Sequence, residues 1–383
     1  MDAGADADTG AKAWQSAGLY DPEDPNADER LALLEFLTER GATLEQMVDA
    51  YSRHALPGLA GLLLLQQDTP LVPVKVIAAR SGASVERVLR VLLATGIPAE
   101  PDSEVPEYME ASMRDFEAGA ALMGEEGILT LLRLLSASAM NIAEGAVALF
   151  LAELGPGTPR AGHDEVSRAR QSEAATRGFL ASVPNALSGM VIEQFARAQR
   201  RAPTTHPSIE PSTEIAVLGF VDLVGSTAWS QTVELRDHNL ALTRFESVAW
   251  SSAVLAGGRV VKMIGDAAFF YAPDSDAACH IAMEICRAAI DDPVLPSARG
   301  AVGVGPVTPR EGDYYGPLVN LLARLVKVGD PGELVVTKEI AAHLSPDRWS
   351  LRELGPATLG GVEGAVEALA VTPVTPVTPA PPN

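Results

Sequence analysis

Aromatic residues make up only 5% of this 383-residue chain, and it holds just two cysteines. Two thiols cannot build a disulfide scaffold. Cys279 and Cys286 stand seven apart, two turns of one predicted helix, so they read as buried free thiols in a reducing compartment. Positive charge is also short: 29 Lys and Arg face 50 Asp and Glu, a formal net charge of -21. A field of that sign repels phosphate, which excludes a general nucleic-acid or anionic-membrane binder. The N-terminus, residues 1–10, is acidic and lacks the basic-then-apolar order of a signal peptide, so a cytoplasmic location is expected. The longest apolar region, residues 131–154, is interrupted by Arg133, Asn141 and Glu144, and no membrane span is expected. The six histidines, His54, His163, His206, His238, His280 and His343, are scattered, and none pairs at metal-ligand spacing. What the chain does have is 47% apolar residues, enough for ordinary packed cores in two domains or three small ones.

Residues 1–28 are rich in Asp, Ala and Gly and are expected to be disordered. From Glu29 the pattern turns helical. Leu31, Leu33, Leu34 and Phe36 precede a stop at Gly41, and Thr43 is placed as the N-cap of a helix from Leu44. Residues 59–65 form a short apolar helix. Residues 72–97 have a helix-turn-helix cadence, with Ser81-Gly82 as the turn and Ser84 as a cap. Its second helix offers only Arg87 and Arg90, and acidic residues follow at once, so a helical scaffold fits better than DNA binding. Two or three apolar helices follow over 111–154. Helix resumes over 165–180 and 186–201, with Pro184 between them. Three prolines mark residues 202–212 as a linker, which leaves residues 29–201 as an all-helical domain.

A different texture begins at Ile215. The order is strand 215–222, helix 226–255, strands 258–264 and 267–272, helix 274–291, strand 298–306, helix 317–328 and strand 333–338. That βαββαβ order predicts an α+β, ferredoxin-like domain over residues 213–372. The Val-Thr-Pro repeats of the last residues, 373–383, predict an extended, disordered tail.

Chemistry concentrates in this half. Phe220-Val221-Asp222-Leu223-Val224-Gly225-Ser226-Thr227 is a strand running through a small-residue turn into a helix, whose first N–H groups can take phosphate oxygens. Asp222 stands just before that turn. Lys262-Met263-Ile264-Gly265-Asp266 places a cation and a second carboxylate at a strand-turn-strand junction. Two carboxylates on adjacent strand ends can hold divalent cations against a polyphosphate. Gly312-Asp313-Tyr314-Tyr315-Gly316 opens a helix on which Asn320 and Arg324, four apart, share a face. No Ser-His or Cys-His pair accompanies these residues.

The ordered set of strand-Asp, Lys-x-x-x-Asp, Gly-Asp-Tyr-x-Gly and Asn-x-x-x-Arg resembles the class III nucleotidyl cyclase catalytic domain, and actinobacterial adenylate cyclases in particular. The resemblance implies a phosphorus-oxygen lyase that turns ATP into cyclic AMP and pyrophosphate. It implies that Asp222 and Asp266 bind two divalent cations, Mg²⁺ or Mn²⁺. Lys262 and Asp313 would read adenine, Asn320 would orient the ribose, and Arg324 would stabilise phosphate charge. Phe220, Val224, Gly225, Ser226 and Thr227 would line the substrate. It further implies a homodimer, with the aspartates from one protomer and the Lys, Asp, Asn and Arg from the other. The one local departure is Ala267-Ala268 after Asp266, where a Gly or acidic residue is expected. A diguanylate cyclase-like domain is excluded because no Gly-Gly-acidic-acidic-Phe turn is present.

The first half, through residues 29–53 and Leu44-Glu45-Gln46-Met47-Val48, is similar to the regulatory domain of mycobacterial cyclases whose output depends on pH. This implies an autoinhibitory helical domain, with His163 and His206 as groups that titrate in the useful range. The apolar helices also suggest a lipid-like ligand. The competing reading is a DNA-binding or signalling regulator with a weak, nucleotide-sensing cyclase domain.

Overall fold

A computed structural model of the protein describes residues 3–66, 70–155, 164–201, 213–360 and 364–374. His163, His206, the expected linker 202–212 and the tail from 375 lie outside these residues. The chain forms two units, Met1–Ala202 and Pro203–Asn383.

The first unit begins with α1 (Ala3–Ser16), α2 (Ala27–Glu39), α3 (Leu44–Ser52) and α4 (Leu59–Gln66). The expectation of disorder over residues 1–28 fails here. Trp14 and Leu19 are buried with Leu33, Leu34 and Leu37 of α2 and Met47 of α3. Average composition hid two large anchors, and a single buried aromatic can hold a polar segment in place. Thr43 caps α3 through a capping box with Gln46. Strand β1 (Leu71–Pro73) precedes α5 (Val74–Ser81) and α6 (Val85–Ala94), and β2 (Glu104–Pro106) pairs with β1. Among the described residues the unit is therefore helical apart from one small ribbon. The expected turn falls at Gly82, whose φ of 73° suits glycine. Arg87 is bonded to Glu117 and Glu125, and Arg90 to Glu125 and Glu126. Those pairs consume the two cations a DNA-reading helix would need.

Helices α7 (Met109–Met123) and α8 (Glu125–Leu154) are split by Gly124. By length and composition α8 is a helix able to cross a membrane, which its polar interruptions alone did not foretell. Helix α9 (Glu165–Arg201) runs through Pro184 as one element, contrary to the two helices expected. Proline removes one backbone bond, and 37 residues of continuous helix outweigh that loss.

The second unit holds β3 (Glu214–Leu223), α10 (Ser226–Ser230), α11 (Leu235–Leu255), β4 (Arg259–Ile264), β5 (Ala267–Ala272), α12 (Ser275–Asp291) and β6 (Ala298–Arg310). Then come β7 (Asp313–Tyr315), α13 (Pro317–Leu325), β8 (Leu334–Thr337), α14 (Lys338–Ala341), β9 (Trp349–Thr358) and β10 (Ala365–Pro373). The sheet order is β4-β5-β3-β6-β8-β10-β9, with β7 on β6. Each of its first four strands is antiparallel to its neighbour among them, in the ferredoxin-like arrangement. The single helix expected over 226–255 is two, α10 and α11. Strands β9 and β10 went unforeseen, and β10 draws Pro373, where the tail was expected to begin, into the sheet.

Alternation along the strands sorts side chains onto two faces. Val221, Leu223, Phe270 and Val302 pack with Phe245 of α11 and Ile281 of α12. Phe220, Phe269 and Ala301 lie on the other face with Tyr314 and with Leu318 and Leu322 of α13. Asp222 shares the parity of Phe220 and so belongs to this second face, where cover is thinner.

Candidate active site

Asp222 sits next to the end of β3, directly opposite Ala267 of β5 on one side and Arg299 of β6 on the other. Asp266 occupies the β4–β5 turn, where Gly265 has a φ of 60°. The Asp266 carbonyl accepts from the Leu223 N–H at 3.3 Å, which ties the turn to the end of β3. The sheet thus brings the two predicted carboxylates together. Burial raises the Asp222 pKa, and the charge of Asp266 raises it further. Arg299 opposes both effects from 3.5 Å.

Both carboxylates offer hard oxygen donors, and their mutual repulsion is what a cation between them would relieve. The pair therefore fits Mg²⁺ or Mn²⁺. Among the described residues no cluster of three or more His, Cys, Asp or Glu exists to complete a cation's shell. Further ligands would have to be water, backbone or substrate oxygens.

Lys262 points to the same face because β4 carries a bulge. Arg259 lies opposite Tyr271 and Lys262 opposite Phe269, with Val261 as the extra residue. Lys262 forms an ion pair with Asp313 of β7, 51 residues away in sequence. Its ammonium also stands 5.9 Å from the Phe269 ring centroid. Asp313 Oδ1 accepts from the Tyr314 N–H at 2.8 Å, which orients the carboxylate. Asn320 and Arg324 lie on α13, whose apolar side buries Leu318, Leu322 and Leu325. Neither the Asn320 amide nor the Arg324 guanidinium bonds to any described side chain, so both remain open to a ligand.

The turn after β3 needs correction. Gly225 caps α10 in the left-handed region, φ 69°, as a turn former must. The Val224 N–H is already committed to the Ser297 carbonyl at 2.7 Å, so it cannot serve phosphate. Phe220 is 4% exposed, and its ring stacks on Phe269 at 4.5 Å. Its side chain is core, not a substrate contact. Ser226 and Thr227 stand at the helix start, where N–H groups have no intrahelical acceptor.

Arg299 escaped the sequence reading. It also donates to the Lys327 carbonyl at 3.2 Å, while its buried Nε lacks a partner. An arginine opening an apolar strand is a visible oddity. Only the pairing of β3 with β6 reveals that it faces Asp222.

No protein-family model matches the chain. An uncharacterized protein of Mycobacterium tuberculosis is 32% identical to it over 375 residues, covering 93% of this chain and 92% of that protein. A pH-sensitive adenylate cyclase of the same species is 25% identical over 361 residues, 90% of this chain and 88% of the relative. An adenylate cyclase of Glutamicibacter nicotianae is 38% identical over 126 residues, 33% of this chain and 31% of that enzyme.

Proposed function

The chain belongs to the class III adenylate cyclase family, and from that premise we propose that it converts ATP into 3′,5′-cyclic AMP and pyrophosphate at a site shared by two copies. The contact between Lys262 and Asp313 carries this reading. A donor beside an acceptor complements the edge of adenine, where ring N1 accepts and the exocyclic amine donates. Guanine presents the reverse order along that edge, so ATP is the substrate this pair supports.

The nucleophile is the ribose 3′-oxygen, which attacks the α-phosphorus as pyrophosphate leaves. Asp222 and Asp266 hold the divalent cations, which when bound acidify the hydroxyl and neutralise phosphate charge. Asn320 orients the ribose. Arg324 meets charge on the transferring group, a role worth about 10³-fold or more in related phosphoryl chemistry. Arg299 holds Asp222 in place and adds positive charge beside the phosphates. In the proposed homodimer the two aspartates of one protomer face Lys262, Asp313, Asn320 and Arg324 of the other, and the helical first unit controls how the catalytic units meet.

The test is incubation of the purified full-length protein with Mn²⁺ and either ATP or GTP. Cyclic AMP from ATP, abolished by Asp222→Ala, is the expected result. No cyclic AMP from the wild type, or undiminished product from Asp222→Ala, rejects the assignment.

A further inference from the structure

Arg259 has no part in the chemistry assigned so far, yet it grips the loop carrying Asp313 at two points. Its Nη2 donates to the Gly312 carbonyl at 3.0 Å. Its guanidinium carbon lies 5.2 Å from the Tyr314 ring centroid. Tyr314 is itself 7% exposed, and its ring stacks with Tyr271 at 6.1 Å. Guanidinium, Tyr314 and Tyr271 together press β7 against the β4–β5 end of the sheet.

That clamp matters because the backbone pairing of β7 is slight. Strand β7 has three residues and pairs with β6 alone. The turn before it is exposed and passes through two positive φ values, 54° at Glu311 and 81° at Gly312. The Asp313 carboxylate takes its direction from the Tyr314 N–H, so it moves with the residue that Arg259 holds. The β4 bulge is decisive here. Residues three apart on a regular strand face opposite ways, but the extra residue at Val261 puts Arg259 and Lys262 on one face. One strand therefore delivers both the lysine that meets Asp313 and the arginine that positions it.

We infer that Arg259 is a specificity-determining positioning residue, which selects an amino-purine over an oxo-purine nucleotide by fixing Asp313 relative to Lys262. The inference rests on the assignment of Lys262 and Asp313 to the base. A donor–acceptor pair discriminates only while its spacing is rigid, since a carboxylate free to swing can follow either edge. Arginine suits the task because its planar fork donates to a carbonyl and packs over a ring at once, which a lysine ammonium cannot reproduce.

The test compares full-length wild type with Arg259→Lys, Arg259→Met and Arg310→Met, using Mn²⁺ with ATP and with GTP. Arg310 sits on the same hairpin, paired with Glu311, and serves as the charge-loss comparison. Initial rates, nucleotide binding by equilibrium dialysis and Tm are measured for each. Arg259→Lys is expected to raise KM for ATP about tenfold with kcat within about twofold, the size of one lost hydrogen bond. The ratio of kcat/KM for ATP over GTP should fall about tenfold, and Arg310→Met should leave it unchanged. Should Arg259→Met lose its fold, as judged by Tm, Arg259→Lys decides. An unmoved ratio in a folded Arg259 variant, or equal loss of kcat on both nucleotides, overturns the inference while wild-type turnover leaves the base-reading assignment standing. A wild type that binds neither nucleotide and yields no cyclic product removes the assignment itself, and the inference with it.

Discussion

Two aspartates of the second unit titrate in opposite directions, and each makes a prediction. Burial and the neighbouring Asp266 raise the pKa of Asp222. Its charged form is therefore a cost to the folded state. That cost is absent below the unfolded value near 4 and grows as pH rises through the higher folded value. Metal-free wild type should lose stability over that rise relative to Asp222→Asn, and Tm measured in chelator from about pH 4 to 7 would reveal it. Asp292 is the reverse. The Arg244 guanidinium, with the N–H groups of Val294 and Leu295, holds its pKa down at about 2. Its contribution is present above the unfolded value near 4 and is lost as pH falls from there toward 2. Asp292→Asn should therefore lower Tm by a few degrees near neutrality, with the gap to wild type closing as pH falls toward 2.

At the scale of elements, the second unit depends on strands lying close enough for one face to be filled by aromatic rings. Gly219 of β3 faces Gly-sized space beneath Phe270. A Cβ there would stand 2.2 Å from Phe270 Cζ, inside any tolerable contact. Gly219→Ala should cost about 3 kcal/mol, a fall in Tm of roughly 9 °C by thermal unfolding, because a central strand cannot shift without breaking its ladder on both sides. The bulge in β4, the start of α3 and the continuity of α9 are legible to different degrees. Thr43 and Gln46 announce their helix start, because capping is chemistry within four residues. Nothing in Arg259-Val260-Val261-Lys262 announces a bulge, because it answers to the partner strand's register. Continuity through Pro184 was equally hidden, since propensity marks proline as a break.

At the scale of the whole molecule, the proposed site needs two chains, and mixing variants tests this. Asp222→Ala lacks a proposed metal ligand, and Arg324→Ala lacks the arginine proposed to meet the phosphates. Each alone should be inactive. Mixed and allowed to exchange, half of the dimers should combine the two and restore one complete site of two, about a quarter of wild-type activity. No recovery after exchange would place every group in one chain. The proposed control by the helical unit has its own measurement. Cyclase rate against pH for full-length protein should differ from that of a 203–383 fragment. Identical curves would remove the first unit from regulation.

The sequence alone settled which chemical groups this protein has and in what order: Asp222, Lys262, Asp266, Asp313, Asn320 and Arg324, on strands and a helix whose periods are local properties. It also placed the βαββαβ framework, because strand and helix periodicity survive without any tertiary contact. Only tertiary structure decided the neighbours. Pairing of β3 with β6 set Arg299 beside Asp222. An extra residue in β4 turned Lys262 toward Asp313. Burial took Phe220 out of the site and gave Trp14 a place in a core, and a hydrogen bond to Ser297 took the Val224 N–H. Side-chain chemistry and local propensity are written residue by residue, whereas register and burial arise from contacts between segments far apart in the chain.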